Sequence, residues 1–358
     1  MRRVRGAEGG VMSIFSPIGY TLLSRTGFGQ TLADVCVERF EVGTAALFER
    51  RPAVCLQGSL DRVTGVAPMR TLDLERRRLE PGEMLLPACV AYVFDDILCV
   101  DGNLYKGFAK YRVSGSTRTL LASISKSVSD GVLVSNGQSH TYFGHWMTEE
   151  LPGTSFAADL GPVVTIRHGR NPYTHEFGYL QLCGLPAPAV LPSRCRVGRL
   201  TVLGENSTNT SHLNKLADFR ELRAHAGWQR TNRRVFIRRG GGSPRSLANE
   251  SDIIDYLSRE GFDIVDPERL SAEEVAARCY GASVAVGVEG SHMAHAFVQM
   301  FAGASFLLIQ PPDRFNNPFK DLCDAVGINY GFAVADALKR GFALPIDRLA
   351  KTLEILPT

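Results

Sequence analysis

Several motifs that identify common enzyme classes are absent from this sequence of 358 residues. It has no G-x-S-x-G, no G-x-G-x-x-G and no H-E-x-x-H, which argues against an α/β-hydrolase, a dinucleotide-dependent dehydrogenase and a zinc protease. It also has no Asp-x-Asp, the carboxylate pair with which many metal-dependent transferases hold a divalent cation. Any chemistry must therefore depend on other residues.

The sequence also has no large excess of charge of one sign, no long apolar run and no closely spaced pair of cysteines. The net charge is +3, so the chain as a whole has no electrostatic reason to bind nucleic acid. No apolar run approaches the ~20 residues of a membrane-crossing helix, and the basic start is broken by Glu8 and Pro17 before a signal peptide can form. The eight cysteines form no CxxC pair, which predicts buried, reduced thiols. These features favour a folded cytoplasmic protein.

The chain is long enough for two domains, because single hydrophobic cores stop growing at ~250 to 300 residues. In its C-terminal part, short β-branched runs alternate with helical segments. The predicted strands are 233–239, 262–266, 283–288, 304–310 and one near 328–332; the predicted helices are 250–260, 272–280, 292–301 and 317–327. This alternation predicts parallel βαβ units in a Rossmann-like domain.

The upstream half is less regular. Residues 131–204 repeat the strand and helix pattern and predict a second α/β unit, and residues 85–121 predict short strands that turn at Asp101 and Gly102. The polar stretch that begins at Gly204 is the expected junction. We therefore predict an N-terminal domain over 1–212 with a β-rich start and a C-terminal domain over 213–358. The sequence of the first 80 residues does not indicate a functional role for them.

The stretch VAVGVEGSHMAHAF, residues 284–297, ends an apolar strand in polar and small residues. In an open parallel sheet, ligands bind outside the carboxyl ends of the strands, where helix N-termini offer free N–H groups. We expect Glu289 to bind a ribose, Gly290 to admit a phosphate, Ser291 to cap the helix and His292 to donate to the phosphate. The alternatives are a plain Ser-capped turn and a metal pair of His292 with His295, for which no third ligand lies nearby.

Arginines surround a run of three glycines in residues 233–251. Arg238 and Arg239 end a strand, and Arg245 follows the glycines before Asn249 and Glu250 open a helix. Guanidinium groups beside a glycine loop suit bidentate recognition of a diphosphate. The segment is not a P-loop, because no GKS or GKT follows. A solvated basic loop is the alternative.

A third candidate lies in TYFGHWMTEELPG, residues 141–153. On a helix, His145 and Glu149 share one face, and Trp146 shares another with Glu150. A carboxylate beside an imidazole fixes its tautomer and raises its basicity, as a general base requires. Alternatively, this is a surface helix whose tryptophan packs inward.

Taken in order, FGHWMTEELP, the segment from VFIRRGGGSPR to GSHMAHAFV, and LIQPP resemble glycosyltransferase family 61, which includes capsular polysaccharide biosynthesis proteins. The resemblance covers roughly residues 131–332. It implies a metal-independent, inverting enzyme of the GT-B type, with two Rossmann-like domains that face a cleft. The C-terminal domain is then expected to bind the donor nucleotide, and the N-terminal domain the acceptor.

The resemblance also assigns residues. The matching positions are Arg238, Arg239, Arg245, Asn249 and Glu250 in the arginine and Asn-Glu motif, His145 and Trp146 in the His-Trp pair, and Gly290 in the glycine turn. Trp146 is thereby expected on the acceptor side. The chain departs from the family where many members have a histidine before that glycine and an asparagine after it, because Glu289 and His295 occupy these places.

The activity implied is that of a hexosyl- or pentosyltransferase that moves a sugar from a nucleotide-sugar donor to a glycan or lipid-linked glycan in polysaccharide biosynthesis. His145, oriented by Glu149, is the first candidate for the base, and Glu289 is the second. We expect no metal, no further cofactor and no nucleic-acid partner, and a peripheral association with the inner membrane face if the acceptor is lipid-linked. The alternatives are a catalytically silent nucleotide- or glycan-binding protein, and a pyruvyl or phosphosugar transferase on the same scaffold.

Overall fold

A computed structural model describes residues 4–5, 16–24, 30–115, 123–124, 126–204, 208–240 and 245–357. Most of the N-terminal segment that was considered as a signal peptide lies outside these residues, as do Gly241 and Gly242 of the glycine run. The chain divides into two compact units. Unit 1 comprises Met1–Ala46 and Leu86–Ala217, and unit 2 comprises Leu47–Leu85 and Asp218–Thr358. Residues 47–85, most of which had no role assigned from the sequence, thus belong to unit 2.

The strands in chain order are β1 Val4–Arg5, β2 Glu38–Val42, β3 Ala46–Arg50, β4 Gly82–Leu86, β5 Cys89–Val100, β6 Asn103–Lys106, β7 Ala109–Arg112, β8 Lys126–Leu133, β9 Val163–Thr165, β10 Ala189–Val190, β11 Arg194–Leu203, β12 Arg234–Ile237, β13 Phe262–Val265, β14 Val284–Val288, β15 Ser305–Gln310, β16 Asn329–Val334, β17 Asp336–Ala337 and β18 Phe342–Ala343.

The α-helices are α1 Ser16–Ser24, α2 Leu32–Val35, α3 Leu72–Leu79, α4 Gly137–Thr141, α5 Phe143–His145, α6 Leu151–Ala157, α7 Glu176–Leu182, α8 Thr210–His225, α9 Glu250–Arg259, α10 Ala272–Cys279, α11 Ala294–Phe297, α12 Pro318–Val326 and α13 Ile346–Glu354. Trp146–Glu150 form a π-helical turn between α5 and α6, and Ser59–Arg62 and Ser291–Met293 form 3₁₀ turns.

Unit 1 is built on a mixed sheet with the order β1-β2-β5-β11-β8-β9-β10. Strands β11, β8, β9 and β10 run parallel, whereas β5 is antiparallel to both β2 and β11. The predicted turn at Asp101 and Gly102 is confirmed: it joins β5 to β6, and both residues have positive φ, as a tight hairpin turn requires. The predicted β-rich start of the N-terminal region is confirmed, and its strand β5 pairs directly with β11, so this segment is part of the same sheet.

Unit 2 is built on a sheet of five parallel strands in the order β13-β12-β14-β15-β16. This confirms the parallel βαβ pattern predicted for the C-terminal part. Continuous apolar strands suit a sheet covered on both faces, and β14 and β15 are buried along their whole length. The predicted capping box of Ser271 and Glu274 at the start of α10 is also present.

One predicted helix of unit 2 is much shorter than the sequence indicated. Instead of spanning 292–301, it comprises a 3₁₀ turn and the four residues of α11. The carbonyl of Val298 accepts a hydrogen bond from Arg220, and that of Gln299 accepts one from the N–H of Gly281. These carbonyls lie beyond α11 and bond remote groups, and a 3₁₀ turn with the short α11 stands where a full helix was expected after His292.

All eight cysteines are free, and six of them are buried, which confirms the prediction of reduced packing residues. Among the described residues, no helix combines the length and the apolar character needed to cross a membrane. The GT-B arrangement and the domain boundary after residue 212 stay predictions.

Candidate active site

Charged residues of unit 2 follow the carboxyl ends of neighbouring parallel strands. Arg238 and Arg239 follow β12, Glu289 follows β14, and Asp266 comes directly after β13. Arg314 lies in the loop after β15. Because these strands are parallel, their carboxyl ends meet at one edge of the sheet, which is where open α/β sheets bind ligands.

Glu289 is the centre of this group. Its side chain is only 4% exposed, and one carboxylate oxygen accepts hydrogen bonds from Arg245 and from Arg314, the latter at 3.1 Å. The other oxygen accepts one from the amide of Asn316 at 3.2 Å. The backbone carbonyl of Glu289 accepts from Arg239 at 2.6 Å and from Arg245 at 2.9 Å. We call these five residues the Glu289 cluster.

The Glu289 cluster contains more positive than negative charge. Three guanidinium groups, those of Arg239, Arg245 and Arg314, contact a single carboxylate residue. Burial, with the charges of Arg245 and Arg314, lowers the pKa of Arg239 to about 10, while the charge of Glu289 acts in the opposite direction. Such a group of arginines at the ligand-binding edge of a sheet suits an anionic ligand, because guanidinium groups donate charge-assisted hydrogen bonds to carboxylate and phosphate oxygens.

Gly290 leaves space for the packing of this cluster. A Cβ atom at this position would overlap Nη1 of Arg239 and lie 3.1 Å from Nδ1 of His292. The guanidinium of Arg239 is held by the carbonyl of Glu289, so it cannot move aside without losing that bond. The glycine predicted to let a phosphate approach the backbone therefore also makes room for an arginine.

His292 carries an unsatisfied polar atom. Its Nε2 is buried and has no hydrogen-bond partner among the described residues. Burial, and then the charges of Arg239, His295 and Arg245, lower the pKa of His292 well below its ordinary value, so the ring is neutral. A neutral imidazole with one free nitrogen can donate to a ligand oxygen or accept from a ligand hydroxyl. The side chain of Ser291 does not cap the following turn.

The remaining predicted donor residues have structural partners. Arg238 bonds Asp266 at 2.8 Å and Glu250 at 3.1 Å, so its charge is compensated within the protein. The amide of Asn249 makes two backbone hydrogen bonds with Leu344, one in each direction. These three motif residues, Arg238, Asn249 and Glu250, thus anchor the start of α9.

Arg314 and Asn316 belong to the site but were missed in the sequence. The side-chain amide of Gln310 bonds both the backbone N–H and the backbone carbonyl of Asn316. The adjacent Asn317 donates two hydrogen bonds to the buried carboxylate of Glu75. The segment 47–85 therefore fixes the loop that presents Arg314. The available signal was position, because both residues follow a predicted strand at the same edge as Glu289.

In unit 1, the structure brings His145 and Glu149 together as predicted. Nδ1 of His145 lies 2.7 Å from Oε1 of Glu149, and Asn136 donates to the other carboxylate oxygen at 2.8 Å. Asn136 follows β8 at its carboxyl end and caps α4. It was missed in the sequence, although its position after a parallel strand was a usable signal. The imidazole is about one-third exposed at 35%, whereas Glu149 is buried at 2%.

The electrostatics of this pair suit proton transfer. Burial acts to raise the pKa of Glu149, but the hydrogen bond and charge of His145 and the hydrogen bond from Asn136 outweigh it, so the pKa is lowered. Glu149 is thus an ionised carboxylate that accepts from Nδ1–H and leaves Nε2 of His145 to accept a proton. The pair spans a π-helical turn, in which the N–H of Leu151 bonds the carbonyl of Trp146. Such turns occur frequently at functional sites.

Trp146 and Glu150 point into the protein instead. The indole of Trp146 is 2% exposed and stacks on Phe143, with ring centroids 6.0 Å apart. Both carboxylate oxygens of Glu150 accept hydroxyl hydrogen bonds, from Ser139 at 2.8 Å and from Thr165 at 2.6 Å. The inward packing weighed as an alternative is what the structure shows, so Trp146 can act on an acceptor only by positioning its helix.

His212 gives unit 1 a testable pH dependence. Burial lowers its pKa from 6.5 to about 4, against the opposing charge of Glu149, and its Nδ1 accepts the N–H of Asn209. The unfolded chain binds this proton below pH 6.5 and the folded chain only near pH 4, so stability falls as the pH drops through this window. We expect the wild type to lose about 2 kcal/mol more than His212→Gln between pH 7 and pH 5.

Urea unfolding of both proteins at the two pH values measures this difference. His225→Gln is the matched control, because His225 is an exposed histidine on the same helix. Equal pH dependence of the wild type and His212→Gln would rule out the buried neutral imidazole.

Within the described residues, no group of three or more His, Cys, Asp or Glu side chains is arranged to hold a metal ion. The family model of Glycosyltransferase 61 matches residues 143–306 of the chain. This range contains the His145–Glu149 pair, Arg239, Arg245 and Glu289, but not Arg314 or Asn316. No curated protein matches the chain.

Proposed function

We propose that this chain, a glycosyltransferase of family 61 across residues 143–306, transfers a hexose or pentose from a nucleotide-sugar donor to a hydroxyl of a glycan acceptor. The transfer is an inverting single displacement that does not depend on a metal ion. The observation that carries this proposal is the Glu289 cluster, in which three arginines gather around one carboxylate residue at the ligand-binding edge of a parallel sheet.

In this proposal unit 2 binds the donor. Arg239, Arg245 and Arg314 contact the diphosphate and stabilise the negative charge that grows on it as the sugar departs. His292 donates from Nε2 to a phosphate oxygen, which gives the unpartnered atom a hydrogen bond. Glu289 holds the arginines in place. Its carboxylate oxygens already accept three hydrogen bonds, so we prefer it as an anchor for the arginines over its earlier assignment as a second candidate base.

The other residues assigned to the donor side support the site or lie beside it. They are Arg238, Asn249, Glu250, Gly290 and Ser291. Arg238, Asn249 and Glu250 fix the start of α9, and Gly290 leaves space for Arg239. Ser291 is half-buried beside His292 and can bond a ligand through its hydroxyl.

Unit 1 binds the acceptor and supplies the base. The acceptor hydroxyl attacks the anomeric carbon from the face opposite the leaving nucleoside diphosphate, and its proton passes to Nε2 of His145. Glu149 stabilises the imidazolium that forms, because its ionised carboxylate accepts from Nδ1–H. The bond to the nucleotide breaks as the new glycosidic bond forms, so the configuration at the anomeric carbon inverts. Polysaccharide biosynthesis is the expected biological setting.

Calorimetric titration of the purified chain with UDP, GDP, CMP and ADP, each with and without EDTA, tests the donor assignment. We expect one nucleotide to bind selectively and equally well in EDTA. Absence of binding for all four at millimolar concentration would refute the donor site. Nucleotide binding without transfer, assayed by mass spectrometry of the products with a set of sugar acceptors, would favour a catalytically silent binding protein.

A further inference from the structure

Besides the Glu289 cluster of unit 2, a charged cluster lies in unit 1. It belongs neither to the proposed donor site nor to the His145–Glu149 pair. It follows β9 at its carboxyl end and consists of Arg167, Arg170, Tyr173 and Glu176, which we call the Arg170 cluster. Arg167 contacts one carboxylate oxygen of Glu176, and Nη1 of Arg170 contacts the other at 3.1 Å. The backbone N–H of Tyr173 donates to that second oxygen, also at 3.1 Å. Glu176 is therefore fully engaged by donors.

Arg170 has hydrogen-bonding capacity that the protein leaves unused. Its side chain is 9% exposed, and Nε and Nη2 are buried with no hydrogen-bond partner among the described residues. Nε of Arg167 is also buried and has no hydrogen-bond partner among the described residues. Buried polar atoms are nearly always hydrogen-bonded in folded proteins, and charged ones are costly to leave unpaired. Two such N–H groups on one guanidinium match the two oxygens of a carboxylate or phosphate.

The charges of this region also favour an anionic ligand. Two arginines share the carboxylate of Glu176, whose side chain is 1% exposed. Burial raises the pKa of the nearby Glu150, against the hydrogen bonds from Thr165 and Ser139 and the charge of Arg170. The Arg170 cluster itself offers two guanidinium groups to one carboxylate.

The Arg170 cluster adjoins the helical segment that carries His145. The guanidinium of Arg170 lies over the ring of Tyr173, 4.3 Å from its centroid. That ring contacts Phe143 edge-on and lies against Trp146, at centroid distances of 5.5 and 6.4 Å. Phe143 and Trp146 flank His145 closely in sequence, so an acceptor held by Arg170 would be bound by the same unit and beside the same helical segment as the base.

We propose that Arg170, assisted by Arg167, binds an anionic group of the acceptor, either the carboxylate of a uronic acid or a phosphate. The acceptor is thereby assigned to the class of acidic glycans or phosphorylated glycan carriers. That the bound anion belongs to an acceptor rests on the proposed function. The binding of the anion itself does not depend on the donor site.

The fluorescence of Trp146 offers a local readout, because the protein has only two tryptophans and Trp228→Phe leaves this one alone. In that background, the protein is titrated at constant ionic strength with sodium glucuronate, inorganic phosphate and, as the neutral comparison, glucose. We expect saturable binding of glucuronate or phosphate in the millimolar range and none of glucose. Arg170→Gln should raise the dissociation constant at least about tenfold.

Arg199→Gln is the matched control, because Arg199 is a surface arginine of unit 1 that pairs with Asp95. It should leave the dissociation constant unchanged. Glucuronate binding alone would identify an acidic sugar, and phosphate binding alone a phosphorylated acceptor. The inference fails if neither anion binds, or if Arg170→Gln binds them as the wild type does. Calorimetry of the four nucleotides on Arg170→Gln separates this outcome from failure of the donor site, because nucleotide binding by unit 2 should persist in this variant.

Discussion

Replacement of His145 by alanine is expected to lower the turnover number of transfer about 10²- to 10⁴-fold, which is the usual contribution of a positioned general base. The imidazole is partly exposed and bonded to a buried, ionised carboxylate, so its loss removes the group that would take the proton of the acceptor hydroxyl. The dissociation constant of the nucleotide should stay unchanged, because donor binding is assigned to unit 2. Single-turnover transfer with the nucleotide-sugar identified by calorimetry measures the effect.

Glu149→Gln separates orientation of the base from its removal. The glutamine amide keeps a hydrogen-bonding group near His145 but loses the negative charge that stabilises the imidazolium. We expect a smaller loss in turnover of about 10- to 100-fold, the value of one hydrogen bond to a charged group. His225→Ala, which removes an exposed histidine from α8, should retain full activity. Wild-type turnover in His145→Ala would exclude this residue as the base and return Glu289 to consideration.

Arg245→Ala is expected to weaken nucleotide binding about 10- to 100-fold and to reduce turnover about 10²- to 10³-fold. Arg245 contacts both the carboxylate and the carbonyl of Glu289, at the sheet edge where the diphosphate is expected. The melting temperature should change little, because Glu289 keeps its hydrogen bonds from Arg314 and Asn316. Calorimetry, steady-state kinetics and thermal unfolding of the same preparation test the three statements together.

Two further variants sharpen this test. Gly290→Ala retains every charge but places a Cβ against the guanidinium of Arg239, so it should weaken nucleotide binding by displacement alone. Arg269→Ala removes an arginine of unit 2 whose side chain is 82% exposed, and it should bind nucleotide normally. If Arg245→Ala and Arg269→Ala behave alike, the Glu289 cluster is not the donor site.

Much of unit 2 could be predicted because its signals are local. Short β-branched runs such as SVAVGV indicate buried parallel strands, and Ser271 with Glu274 marks a helix start through contacts within four residues. The length of the helix after His292 was overestimated. Beyond α11 the carbonyls of Val298 and Gln299 bond Arg220 and Gly281, and such contacts between distant residues leave no periodic signal in the sequence.

The sheet of unit 1 shows the same limit. Strand β5 was recognised as β-structure, but its partner β11 lies about a hundred residues further along the chain. Pairing between such distant strands depends on closure of the whole unit, so the sequence predicted the β-rich start but not its place in the sheet.

The sequence by itself determined which chemical groups this protein offers: the His145–Glu149 pair at helical spacing and a set of arginines placed after strand ends. Only the tertiary structure decided what these groups contact. It placed Glu289 in contact with a cluster of arginines, buried Trp146, and brought in Arg314 and Asn316 through a loop fixed by Glu75. The reason is physical, because residue type and spacing set chemistry and local conformation, whereas burial and charge compensation arise only when distant segments pack together.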